Sequence, residues 1–407
     1  MKCRFCQNNL KHKFLDLGFQ PLSNGYLSFE DLSKSEVYLP LRLMVCEKCF
    51  LVQTEDYSAP SNIFNSNYAY FSSTSKSWLK HAEDYFQLIK KNLDLNKNSL
   101  VIEIASNDGY LLQYFNEDNI PCLGIEPTSS TANISKEKGI PTLQKFFNTE
   151  LALELKKNKK YADLVIGNNV LAHVPNINDF INAISIILKK EGVVTLEFPH
   201  LMRLVESNQF DTVYHEHFSY LSLTLVNKVF QKNNLRIFDV EELSTHGGSL
   251  RVYGVLKSST QKVSDNVGKL LNTEKKLGMN EINFYKNFQL AADNAKNNLI
   301  KFLINAKEEG KLVYAYGAAA KGNTILNYAG IKPDLLPLVC DAAKSKQKKF
   351  LPGSHIPICE PGILFEKRPD YILILPWNIK HEILEQLAEL SKKGTKFITA
   401  IPTLKIE

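Results

Sequence analysis

The run "DTVYHEHFSYLS" (211–222) collects two histidines, a glutamate and two tyrosines between Tyr214 and Tyr220. These residue types move protons. An imidazole acts as a base near neutral pH, a phenol donates to a developing oxyanion, and a carboxylate orients its neighbours. Two histidines plus a glutamate also read as metal ligands, but no third ligand follows at a fixed helical spacing. A polar packing cluster is the structural alternative. In an extended segment His215 and His217 face one side and Tyr214 with Glu216 the other. A loop is free of that alternation.

A second cluster is built from sulfur. Seven cysteines are present, and four of them form two C-x-x-C pairs, Cys3 with Cys6 and Cys46 with Cys49, within the first 50 residues. Four thiolates suit a tetrahedral, closed Zn²⁺ site, and a segment of that length with a thin core needs such a staple. A disulfide or redox pair is the competing reading. Cys122, Cys340 and Cys359 sit in or beside apolar runs and read as buried small residues.

The third candidate is "EIASNDGYLL" (103–112), placed where a nucleotide-binding sheet holds its ligand. Gly109 permits close approach at a helix start, and Glu126 at the end of the next strand can accept from a ribose diol. Ala105 and Asn107 occupy positions where glycines are usual. They argue against a dinucleotide pyrophosphate and leave a ligand needing acceptors; Glu103 and Asp108 can meet an ammonium. In "GNNVLAHVPN" (167–176), Asn168, Asn169 and His173 follow a later strand and face the same crevice by topology. A third strand-to-helix turn, "YGAAAKGNT" (316–324), carries Lys321 and Asn323. It suits a pyrophosphate or is a tight packing turn.

These residues need elements to position them. Strands are expected at 100–105, 122–127, 162–167 and 192–198, with helices near 109–117, 130–138 and 176–189. Apolar strands separated by helices imply a parallel, doubly wound α/β sheet. The stretch 235–256 adds an antiparallel pair, which suits a class I methyltransferase better than a dehydrogenase. Spaced Trp78, Leu79, Ala82, Tyr85, Phe86 and Ile89 mark an amphipathic helix behind a Ser/Thr cap. The expected order is a zinc-binding module (1–57), a Rossmann-like methyltransferase domain (58–260), a helical connector (261–309) and a smaller C-terminal α/β domain (310–407).

With these pieces the chain resembles the S-adenosylmethionine-dependent C-methyltransferases of nucleotide-linked 4-keto deoxysugars. The resemblance rests on the four cysteines, "FSSTS" (71–75), "EIASNDGYLL", "GIEP" (124–127), "NVLAHVPN", "YHEHFSYLS", "HGGSLR" (246–251) and "YGAAAKGNT", in that order. It implies S-adenosylmethionine and structural zinc as cofactors. It makes His217 the base that removes the proton beside the ketone, Tyr214 the oxyanion donor, and Glu216 the group that orients His217 or touches the sugar. It sets Glu103, Ala105, Asn107, Asp108, Gly109, Glu126, Asn169 and His173 around the methyl donor. Tyr68, Tyr70, Ser72, Ser73, His200, His215, Lys321 and Asn323 fall to the sugar nucleotide. An O- or N-methyltransferase, a non-catalytic sugar-nucleotide scaffold and a NAD-dependent oxidoreductase are the rivals.

Composition narrows the remaining classes. The chain of 407 residues is 44% hydrophobic and 23% charged, with a formal net charge of +6. "KSKQKKF" (344–350) is its densest basic run, too short for a nucleic-acid stripe. The first residues lack a secretory hydrophobic core, and no membrane span is apparent, so a cytoplasmic location and a monomer or simple homo-oligomer are expected.

Overall fold

The structure is a computed structural model, and it describes residues 1–55, 57 and 72–407. Tyr68, Tyr70 and Phe71, expected near the site, lie outside the described residues.

Strands β1 (His12–Gln20), β2 (Leu39–Val45) and β3 (Val52–Thr54) run antiparallel in that order. Alternating Leu41, Leu43 and Val45 turn inward from β2 and meet Phe14, Leu15 and Leu17 from β1. β2 keeps the single buried face common in a small antiparallel sheet.

The central sheet begins with β4 (Val101–Ile104), β5 (Cys122–Ile125), β6 (Thr142–Leu143), β7 (Ala162–Asn168) and β8 (Leu188–Pro199). All five are parallel. β4 is buried at every position and β7 at all but Asp163, the pattern of strands covered on both faces. Two residues, β9 (Ser219–Tyr220), then leave this sheet and pair with β3. β10 (Leu235–Leu243) and β11 (Ser249–Leu256) complete the order β6-β5-β4-β7-β8-β11-β10, with β11 reversed against both neighbours. This is the class I methyltransferase arrangement expected from the sequence.

Several observed elements had no counterpart in the sequence reading, among them the strands of the N-terminal sheet, β6, β9 and the helices Thr149–Lys157 and Leu223–Lys232. Two-residue strands carry no measurable periodicity. The helix Lys76–Asn92 forms as expected, its Ser75 side chain accepting from the Trp78 N–H and its Ala82, Tyr85, Phe86 and Ile89 buried.

Helices Asp265–Lys276 and Phe288–Glu308 connect to a third sheet. Phe288 stacks on Phe14 with ring centroids 4.8 Å apart, tying the connector to the first sheet. The third sheet contains β12 (Val313–Tyr316), β13 (Val339–Cys340), β14 (Ile358–Cys359), β15 (Tyr371–Ile374), β16 (Lys396–Thr399) and β17 (Lys405–Ile406). Its order is β14-β13-β12-β15-β16-β17, parallel except for β17. Among the described residues no helix is long and apolar enough to cross a membrane.

Candidate active site and metal centre

The two C-x-x-C pairs fold into matching knuckles. Gln7 N–H donates to the Cys3 carbonyl and Phe50 N–H to that of Cys46, while Cys3 N–H and Cys46 N–H donate to Asn8 and Leu51 carbonyls. Gln7 and Phe50, at the same place in each, have φ of 62° and 66°. The folds bring Cys3 Sγ within 3.5 Å of Cys49 Sγ and Cys6 Sγ within 3.5 Å of Cys46 Sγ, all four within 4.8 Å of one another. Tetrahedral Zn–S bonds of about 2.3 Å place sulfurs about 3.8 Å apart, so the four thiols fit zinc. With four sulfurs on one ion no position is left open for a substrate.

The crevice expected to hold the cofactor lies at the carboxyl ends of β4, β5 and β7. Ala105, Asn107 and Gly109 all take left-handed backbone, with φ of 57°, 51° and 75°. The turn therefore keeps the glycine-type path with an alanine and an asparagine in it. Asparagine tolerates that region, whereas alanine is strained by about 1 kcal/mol. The Asn107 N–H donates to Glu126 Oε2 at 3.0 Å, and the Thr128 N–H to Glu126 Oε1 at 2.8 Å. Gly109 differs from expectation. A Cβ there would come within 2.5 Å of Ile140 Cδ1 and 3.0 Å of Ser135 Oγ, so this glycine admits the protein's own packing rather than a ligand.

Acceptors dominate the crevice. Asp108 Oδ1, Asn168 Oδ1 and Asn169 Oδ1 are buried without a donor among the described residues. Burial pushes the Glu103 carboxyl well above its ordinary range and also raises that of Glu126. Unmet acceptors call for a ligand rich in N–H and O–H, which the ammonium and ribose of S-adenosylmethionine are. Ser72 and Ser73, expected at the substrate, are bound into this turn instead. The Ser72 N–H donates to Asn107 Oδ1 at 3.0 Å, and Ser73 donates to Asp108 Oδ2 through its N–H at 3.2 Å and through its hydroxyl.

The stretch 213–218, between the single helical turn Phe210–Thr212 and β9, is a loop, and the alternation of an extended segment does not hold in it. His217 Nδ1 lies 3.1 Å from the Thr212 carbonyl, which can only accept, so Nδ1 carries the proton and Nε2 keeps its lone pair. The ring stands 4.1 Å from that of Tyr214 and 4.7 Å from that of His173, centroid to centroid. His173 Nδ1 in turn donates to the Glu216 carbonyl at 2.9 Å. Burial, helped by His173, holds the His217 imidazole well below its usual range, so it is neutral at pH 7. Burial likewise lowers His173 to about 4.

Four expectations are corrected. Thr212, not Glu216, orients His217; Glu216 Oε1 accepts from Asn24 Nδ2 at 2.6 Å. His215 turns away, its Nε2 donating to the Pro40 carbonyl in β2 at 3.3 Å. His200 is buried against Glu274 at 2.7 Å, and the same carboxylate receives the Leu223 and Thr224 N–H groups. It fastens the connector to the start of the helix Leu223–Lys232. Asn323 Nδ2 donates to the Ser23 carbonyl at 2.6 Å and so joins the C-terminal unit to the N-terminal one.

Several residues here were not assigned to the site by the sequence reading. His246, with φ of 54°, contacts Asn169 Nδ2 at 3.2 Å through Nε2 and stands 5.2 Å from the Trp78 ring. Trp78 also stacks on Tyr110 and His81. Behind them a buried Glu197 receives His81 at 2.9 Å, Arg251 at 2.8 Å and the Thr245 hydroxyl at 3.0 Å. The motif "HGGSLR" was the available signal, since it carries both His246 and Arg251.

Sheet order and an acceptor-lined crevice at the strand ends define an S-adenosylmethionine-dependent methyltransferase of class I fold. The chain matches a zinc binding domain over residues 3–64, a methyltransferase domain over 77–240 and a C-methyltransferase C-terminal domain over 244–402. It is 31% identical over 405 residues to the C-methyltransferase NovU of Streptomyces niveus, spanning 100% of this chain and 96% of that one. It belongs to this C-methyltransferase family, with S-adenosylmethionine and zinc as its cofactors. Solved structures similar to part of it include magnesium protoporphyrin IX methyltransferase from Synechocystis PCC 6803 with bound S-adenosylmethionine, at 14% identity and a TM-score of 0.34, over 44% of this chain and 79% of that one. The PH0226 protein of Pyrococcus horikoshii OT3 is similar at 13% identity and a TM-score of 0.38, over 50% and 100%.

Proposed function

We propose that this enzyme methylates the carbon beside the ketone of a nucleotide-linked 4-keto deoxysugar, at C3, through an enolate. The observation that carries the reading is the His217 ring, neutral, with Nδ1 tied to Thr212 and the Nε2 lone pair left for a proton. It stands beside Tyr214 and His173, and His173 follows β7, at whose end Asn168 and Asn169 of the crevice lie. His217 Nε2 takes the C3 proton. The C–H electron pair becomes the C3=C4 bond, and charge moves onto the C4 oxygen, where the Tyr214 hydroxyl is the proposed donor. S-adenosylmethionine, when bound, supplies an electrophilic methyl group for that carbon. Glu103, Ala105, Asn107, Asp108, Glu126 and Asn169 are the proposed contacts to it. The division at 1–57, 58–260, 261–309 and 310–407 is part of the same reading.

Transfer to a hydroxyl or amine needs a base but no enolate stabiliser. The test separates the two. The protein is incubated in D₂O with a panel of 4-keto nucleotide sugars and no methyl donor, and then with the donor. Exchange at C3 and a product heavier by one CH₂ on carbon are expected. Absence of exchange together with an O- or N-methylated product overturns the reading.

A further inference from the structure

Just ahead of the base, the single turn Phe210–Thr212 carries a buried charge that the steps above leave unused. Asp211 is 1% exposed, and its Oδ1 has no donor among the described residues. Its Oδ2 accepts from the Trp377 indole N–H at 2.7 Å. Trp377 lies so close on Gly247 that a Cβ there would come within 2.4 Å of Cη2. The Lys321 ammonium sits over the same indole, 4.6 Å from its centroid, and donates to Asn378 Oδ1 at 2.6 Å. One turn further along that helix face, Thr324 donates to the Val213 carbonyl at 2.9 Å. The C-terminal unit thus grips the turn that supplies His217 with its carbonyl, and Lys321 lies over the indole that is bound to that turn. The titratable groups facing Lys321 are Asp211 on this turn, His217 beyond it and His246 from the turn Thr245–Gly247.

We propose that Asp211, acting through Trp377, positions the Lys321 ammonium at the carbonyl oxygen of the sugar ring rather than at its pyrophosphate. The inference rests on the enolate reading and deepens it. Attachment favours the reacting end: the helix that carries Lys321 is tied to Val213 through Thr324, and Trp377 under the ammonium is tied to Asp211, both within six residues of His217. At the start of that helix the Ala318 N–H is already taken by the Asp341 carboxylate, which Lys346 pairs at 3.6 Å, so it is not open to a phosphate. The charge that leaves C3 as the proton moves to His217 collects on the C4 oxygen, and a partly buried cation answers it far better than one in water. Burial lowers the Lys321 pKa and the Asp211 charge acts against that, favouring the ammonium form. Lys321 would touch substrate; Asp211 and Trp377 are positioning residues.

The test uses the full chain, thymidine diphosphate 4-keto-6-deoxyglucose and S-adenosylmethionine. Lys321→Met is expected to slow both C3 deuterium exchange and kcat by ~100-fold, with KM for the sugar nucleotide little changed. Asp211→Asn still accepts from Trp377 but loses the charge. It is expected to lower kcat by ~10-fold and to move the alkaline limb of the kcat profile to lower pH. A Lys321→Met enzyme with raised KM and intact kcat would return the lysine to the pyrophosphate and overturn the proposal. An unmoved alkaline limb in Asp211→Asn would reduce that carboxylate to packing, and this variant decides the matter if Lys321→Met does not fold. Failure of the wild-type chain to exchange C3 would sink the enolate reading itself, before any variant is made.

Discussion

Asn24, in the loop between β1 and β2, donates a 2.6 Å hydrogen bond to the carboxylate of Glu216, one residue before His217. The zinc-bearing unit therefore reaches into the proposed catalytic loop. Asn24→Ala removes one donor from a carboxylate only 5% exposed, a change of about 1–3 kcal/mol. We expect kcat to fall by ~10-fold while bound zinc, measured by metal analysis, stays at one ion per chain. Cys46→Ser should lose the zinc, lower the melting temperature and reduce turnover together.

His217→Ala should abolish both C3 exchange and methyl transfer while S-adenosylmethionine binds with near-normal affinity in calorimetry. The loop does not depend on the imidazole alone, since the Phe218 N–H holds the Ala172 carbonyl at 2.8 Å. Turnover above a few per cent would assign the base elsewhere, with His173 the next residue to test.

Acid should stop this enzyme later than an ordinary imidazole base would allow. Burial holds the folded His217 pKa well below the usual value of about 6.5, so the neutral form persists as pH falls through that value. The acidic limb of kcat/KM, which reports the free enzyme, is expected below pH ~6. A limb at 6.5 or higher would mean that the group being titrated is not this buried ring.

Glu126→Gln replaces a carboxylate that holds the Asn107 and Thr128 N–H groups. The amide keeps an acceptor for only one of its two positions. Hydrogen bonds to charged groups contribute about 1.5–3 kcal/mol, so S-adenosylmethionine should bind ~10-fold or more weakly. An unchanged Kd would remove Glu126 from the cofactor site.

Much of this organisation was legible in residue order. Continuous apolar runs marked four of the central strands, and two C-x-x-C pairs marked the metal centre. What failed to show has a common physical cause: it depends on partners distant in sequence. His200 lies at a strand end, where substrate contacts gather, yet Glu274, 74 positions away, claims its side chain. His215 and His217 are two apart and still diverge, because the loop follows hydrogen bonds to Pro40 and Thr212 rather than a strand's alternation. Ala105 and Asn107 looked like departures from a glycine-rich turn. Their left-handed backbone shows that the path is kept and only the residue types changed. Asp211 was in view as part of the opening motif, but its partner Trp377 is 166 positions downstream.

The short strand Ser219–Tyr220 closes the N-terminal sheet from outside it. A fragment cut after residue 57 would leave the Val52–Thr54 rim unpaired, an adhesive border prone to self-association. Transplanting that module onto a foreign enzyme would likewise require carrying two residues from beside the proposed proton acceptor, so recombination between relatives is constrained to exchange the pieces as one.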